Sequence, residues 1–302
     1  MSFWSSSFPS CSSGKLITAD HITDVTWNKQ AFQRLVLSPK TKELIQAAVM
    51  AQGHLLGASP DIIAGKGQGL LILLHGGPGT GKTLTAESIA ETQERPLYRV
   101  TCGDLGIEPT DVELVIVESV FNIGKAWGCV VLLDEADVFL EERIRTNQKQ
   151  NAVVSVFLRL LEYYDGILIL TTNRVGTFDE AFKSRIHLAL RYPDLGETQR
   201  AEIWCNFIEM LKNRTGKLVD NKDLVDINDL LANVPKLAQR ELNGRQIRNA
   251  LMVARYLSKF GKEVLRYQHV QDALEPMVEF NQYLVGLRGL SDEEIAAEER
   301  LR

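Results

Sequence analysis

The stretch from His75 to Glu87, HGGPGTGKTLTAE, sets four glycines and a proline ahead of a lysine and two threonines. Gly76 to Thr83 fits the spacing G-x-x-x-x-G-K-[ST], with an apolar run before it and a helical pattern after it. That context suits phosphate chemistry, because a glycine-rich backbone can curl its N–H groups inward at the start of a helix. Gly77, Pro78, Gly79, Thr80, Gly81, Lys82, Thr83 and Leu84 are expected to line the phosphates. Lys82 would reach the β- and γ-phosphates, and the Thr83 hydroxyl would face Mg²⁺. Downstream, CVVLLDEADVFLEE ends an apolar run in Asp134 and Glu135. Two carboxylates at the end of a buried strand suit metal holding by Asp134, through water, and polarisation of an attacking water by Glu135. A third apolar run, ILILTTN, delivers Asn173 as a polar group able to orient that water. Arg185, in SRIHLAL, is a cation available for transition-state charge.

These residues need elements to hold them. Apolar strand-sized segments recur at Leu70–Leu74, Leu97–Val100, Val130–Leu133, Ile167–Leu170 and His187–Tyr192. Helical spacing alternates with them at Thr83–Thr92, Val112–Ala126 and Ala152–Tyr164, the pattern of a parallel sheet covered on both faces. An earlier helix is predicted from Ser38 as its cap and Pro39 as its first residue, with Gly53 as its stop. After Gly196 only helices are predicted: Glu197–Lys212, Leu224–Asn233, Gln239–Lys259 and His269–Tyr283. The expected division is a serine-rich tail over 1–14, an α/β nucleotide-binding domain over 15–195, a helical lid over 196–290 and an acidic tail over 291–302.

At 45% hydrophobic and 24% charged residues, the composition is that of a globular protein, and no apolar run is long enough to span a bilayer. The net charge of −5 argues against broad nucleic-acid binding. Cys11, Cys102, Cys129 and Cys205 are widely spaced, without a CxxC pair, which points to reduced thiols rather than a zinc site. The first fourteen residues hold seven serines and no apolar core of a secretory signal. An intracellular place, cytoplasmic or nuclear, is the expectation.

GGPGTGKT, VVLLDEAD, TTN and SRI together resemble the Walker A, Walker B, sensor 1 and arginine-finger elements of an AAA+ ATPase. VFLRLLEYYDGILILTTNRVGTFDEAFKSRIHLALRYPDL and ELNGRQIRNALMVARYLS more narrowly resemble the C-terminal module of large, mostly fungal AAA+ proteins. The resemblance covers about residues 22–285. It implies an α/β P-loop NTPase three-layer sandwich, a five-stranded parallel sheet in order 5-1-4-3-2 and a C-terminal α-helical lid. It further implies ATP and Mg²⁺ as cofactors and a homo-oligomeric ring, a hexamer, in which Arg185 completes the neighbour's site. Arg245, in LNGRQIRN, takes the sensor 2 position, with Arg248 as its alternative; Ile63 and Gly65, in DIIAGKGQG, stand where the adenine is contacted.

Two departures qualify the resemblance. AFKSRIHL has one arginine and no Pro-Gly, so Arg185 acts alone or with Lys183. CGDLGIEPTDVEL lacks the aromatic of a peptide-gripping pore loop. Three functions follow: ATP-driven remodelling of a protein client, a nucleic-acid motor or loader, or a slow nucleotide-gated switch or scaffold. The second would need a basic surface, and EERIRTNQKQN sets Arg143, Arg145 and Lys149 against Glu141 and Glu142.

Overall fold

A computed structural model describes residues 24–54, 69–101, 120–140, 148–174, 180–215 and 224–288. The serine-rich tail, Ile63 and Gly65, the start of the helix expected from Val112, the pore-loop segment from Gly103, Arg143 and Arg145, and the acidic tail all lie outside these residues.

The chain enters through α1 (Pro39–His54), whose first turn is capped as expected: the Thr41 N–H donates to Ser38 Oγ at 3.1 Å. There follow β1 (Leu70–Gly76), α2 (Lys82–Gln93), β2 (Leu97–Thr101), α3 (Asn122–Ala126), β3 (Val130–Asp134), α4 (Asp137–Leu140) and α5 (Gln148–Leu161). Then come β4 (Ile167–Thr172), α6 (Glu180–Lys183) and β5 (Leu188–Tyr192). The five strands form one parallel sheet in the order β2-β3-β4-β1-β5, which is the expected order read from the other edge.

The three inner strands are buried on both faces, which is why they read as unbroken apolar runs. Alternate residues feed opposite cores. Leu71, Leu73, Val131, Leu133, Leu168 and Leu170 pack with Phe139, Phe157 and Phe182 on one face. Leu70, Ile72, Leu74, Val130, Leu132 and Ile169 pack with Ile45, Val49 and Ile89 on the other. On α5 the spacing Val153, Val154, Phe157, Leu158 lays one stripe on the sheet. That helix stops at Leu161, three residues short of the expected end. Tyr164 turns inward against Phe121, with ring centroids 4.6 Å apart, and the chain then starts β4.

Beyond the sheet lie α7 (Glu197–Thr215), α8 (Ile227–Ala232), α9 (Val234–Ala238), α10 (Gly244–Gly261) and α11 (Tyr267–Arg288). They enclose a separate core that includes Trp204, Ile208, Leu230, Leu237, Ile247, Leu251 and Leu274. The single helix expected over Gln239–Lys259 starts instead at Gly244. Asn243 caps it: its Oδ1 accepts from the Gln246 N–H at 2.9 Å, and its own N–H donates to Gln246 Oε1 at 2.8 Å. This reciprocal pair ends the preceding segment and begins a new helix axis. In the same way Asp226 caps α8, which moves its start from Leu224 to Ile227, while Val225 bridges to Leu265.

Candidate functional site

The carboxyl ends of the inner strands create the site. β1 runs out at Gly76, where the backbone has φ 144° and an added Cβ would lie 2.0 Å from the Tyr192 carbonyl oxygen of β5. Only glycine fits there. The loop then curls through Gly79, at φ 73°, and reaches α2 without a side-chain cap and without an acidic residue in the first turn. The N-terminal N–H groups of α2 are therefore left without a side-chain cap, the local setting that suits phosphate. Thr80 Oγ1 tightens the turn by donating to the Gly77 carbonyl at 2.8 Å. Thr85 Oγ1 and Tyr192 Oη lie 2.7 Å apart and pin α2 to β5.

Lys82 is buried, and its ammonium donates to the carbonyls of Gly76 and Gly77 at 2.8 and 2.7 Å. A phosphate in the loop would lie within reach of that charge. Thr83 Oγ1 donates to Asp134 Oδ1 at 3.2 Å, so the loop and the end of β3 meet. These are oxygen donors of the kind a small, hard divalent cation takes, and they fit Mg²⁺.

Asp134 itself is 5% exposed. Its Oδ1 also accepts from Thr171 Oγ1 at 2.5 Å, and its Oδ2 pairs with the Arg99 guanidinium at 2.6 Å. Thr171 Oγ1 further accepts the Glu135 N–H at 3.0 Å, while the Thr171 carbonyl accepts the Ala136 N–H at 2.8 Å. These bonds hold the turn after β3 in a left-handed conformation at Glu135, φ 57°, which turns its side chain out to an exposed position at the sheet edge. Asn173 follows β4 directly and is half-buried. Because β4 pairs with β1, with Thr172 opposite His75, Asn173 emerges beside the phosphate loop.

The lid reaches the same place. The Gly244 N–H donates to the Gly79 carbonyl at 2.9 Å, and a Cβ added at Gly79 would lie 2.5 Å from the Asn243 side chain. Arg245 and Arg248 are exposed on the first two turns of α10, next to this contact. Charges around the loop act on each other. Burial, followed by Arg191 and Lys82, lowers the His75 imidazole. Burial raises the Glu87 carboxyl on α2, with Asp134 and Glu91 acting the same way and Arg99 and Arg248 opposing them.

Arg185 stands apart from the other candidates. It precedes β5, next to His187, whose N–H donates to the Leu71 carbonyl at the start of β1. This is the edge of the sheet opposite the phosphate loop. There its guanidinium donates to the Ala181 carbonyl at 2.8 Å and pairs with Glu162. Lys183 is exposed and lies 3.8 Å from Glu180.

Sequence reasoning passed over Arg99, Thr171, Glu87 and the Asn243-Gly244 pair. Two of these carried a signal: Thr171 stands in the TTN triplet, and Asn243 with Gln246 has the spacing of a capping box. Arg99, a lone charge inside a short apolar strand, was a weaker one.

Two family models match in succession. Residues 72–193 match the ATPase family associated with various cellular activities (AAA), and residues 195–291 match the fungal AAA+ ATPase lid domain. The chain is 28% identical over 179 residues to the ATPase family AAA domain-containing protein 3A homolog of Drosophila melanogaster, covering 56% of this chain and 28% of that protein. It is 30% identical over 183 residues to ATPase family AAA domain-containing protein 3 of Xenopus tropicalis, covering 57% and 29%. It is 29% identical over 141 residues to the ATP-dependent zinc metalloprotease FtsH of Mycoplasma genitalium, covering 42% and 20%. The matches thus span less than a third of these relatives' own length. A sheet ordered 2-3-4-1-5, a phosphate loop after its inner strand β1 and a helical lid docked on that loop agree with both models, and the chain belongs to the AAA family of ATPases, with a lid of the fungal AAA+ type.

Proposed function

We propose that this ATPase hydrolyses ATP with Mg²⁺ in a homo-oligomeric ring, a hexamer, and uses the cycle to remodel a protein client. The observation that carries the chemistry is the meeting of the phosphate loop and the carboxylate pair: Thr83 lies 3.2 Å from Asp134, with Glu135 exposed on the next residue. In this reading Gly77 to Leu84 cradle the phosphates and Lys82 neutralises them. Thr83 and Asp134 hold the Mg²⁺, which screens the phosphate charge. Glu135 takes the proton of the attacking water, and Asn173 orients that water. Arg245, on the lid, is a further cation for the phosphates.

The placement of Arg185 supports the ring. An arginine at the far edge of the sheet serves a neighbouring protomer's site in a head-to-tail assembly, where each interface joins two different surfaces. A protein client is supported by the metalloprotease relative, whose name joins ATP to work on protein. Phosphate release by the purified chain in ATP and Mg²⁺, with light scattering for mass, tests the reading. A chain that stays monomeric in ATP while turning over at full rate would refute the ring.

A further inference from the structure

Two cations have a claim on the carboxylate at the end of β3. Asp134 is almost wholly buried, a position that costs stability unless the charge is paired. Its pairing comes from Arg99, whose Nη2 lies 2.6 Å from Oδ2, while Thr171 and Thr83 bond to Oδ1. Arg99 sits on β2, an edge strand, and its side chain is 50% exposed. The pair thus joins a half-exposed guanidinium to a buried carboxylate.

We propose that Arg99 and Mg²⁺ compete for Asp134, so that Arg99 sets the Mg²⁺ concentration at which the site accepts a magnesium nucleotide. The proposal rests on the reading of Thr83 and Asp134 as the metal's protein partners. Mg²⁺ is usually held through one or two carboxylates, so Asp134 would serve the metal with the same carboxylate that pairs with Arg99. A divalent cation sharing that carboxylate with a guanidinium would be repelled by it, enough to shift an equilibrium about five- to tenfold when screened nearly as in water.

The test titrates Mg²⁺, in chelator-buffered solution, against binding of a fluorescent ADP analogue to the full chain. The half-saturating Mg²⁺ falls about five- to tenfold in Arg99→Gln and stays near the wild-type value in Arg99→Lys. Arg99→Met, which keeps the apolar stem, is the second neutral variant and moves in the same direction as Arg99→Gln. Melting without nucleotide supplies a readout independent of turnover: both neutral variants melt lower than wild type in chelator, because Asp134 loses its charge partner. Unchanged or higher half-saturating Mg²⁺ in the neutral variants overturns the competition. Asp134→Asn separates the two levels of the argument. If it keeps the wild-type Mg²⁺ dependence, the metal reading fails and the proposal falls with it. If it loses that dependence while Arg99→Gln behaves as wild type, the competition alone is wrong.

Discussion

Arg185 and Glu135 lie at opposite ends of the sheet, so substituting both, in separate chains, distinguishes a shared site from a self-contained one. Arg185 precedes β5 beside the start of β1, where the His187 N–H meets the Leu71 carbonyl. The phosphate loop leaves β1 at Gly76, five residues on. At about 3.3 Å per strand residue the two ends are roughly 16 Å apart, well beyond one arginine side chain. Arg185→Ala and Glu135→Gln should each bind ATP and hydrolyse it poorly. In a ring mixed at equal amounts, about half of the sites keep Glu135, and about half of those draw an intact arginine from the neighbour. Up to roughly a quarter of wild-type phosphate release should then return, if sites fire independently. The assay is steady-state phosphate release across mixing ratios, with subunit exchange followed by a label on one variant. Exchange without any recovery would refute the shared site. Glu162 bears on this outcome, since its pairing with Arg185 would have to give way for the arginine to reach a neighbour's phosphates.

Lys82→Ala should abolish binding of a fluorescent ATP analogue, because it removes the buried ammonium at the loop; wild-type affinity in that variant would sink the site. Glu135→Gln should bind ATP normally yet release phosphate roughly a hundredfold or more slowly in a steady-state assay, the scale of a lost general base. Gly79→Ala should cost about 1–3 kcal/mol in thermal or denaturant unfolding, since it strains a left-handed residue and drives a methyl group into Asn243. A variant as stable as wild type would mean that the lid does not rest on the loop.

The sheet was legible because inner parallel strands are buried on both faces and need apolar residues throughout; Val130–Leu133 and Ile167–Leu170 could hardly be anything else. The phosphate loop was legible for a different reason. Its backbone demands act over eight consecutive residues, and Gly76 is required by the Tyr192 carbonyl pressing on it. The partners of Asp134 were not legible in that way. Arg99, Thr171 and Thr83 come from β2, β4 and the start of α2, and they converge only because β3 is seated between β2 and β4. Spacing along one segment carries no information about such a meeting. The opposite-edge position of Arg185 was not read from the sequence either, because strand direction and register decide which end of the sheet it occupies.

The lid contact shows how a local rule and a distant one combine. Helical spacing of apolar residues continues across Gln239–Lys259, but Asn243 spends its side chain on Gln246 and starts a fresh helix at Gly244. Had the helix run unbroken, the Gly244 N–H would bond within it, to Arg240 one turn earlier. The break frees that N–H for the Gly79 carbonyl. Both partners are glycines, and neither tolerates a Cβ without close approach: 2.5 Å to Asn243 from one side, 3.0 Å to Gly79 from the other. The bond thus joins backbone to backbone, with no side chain whose rotation could relax it. The start of α10, which carries Arg245 and Arg248 on its first two turns, is thus tied to the phosphate loop through the two residues at which the sequence leaves out a side chain.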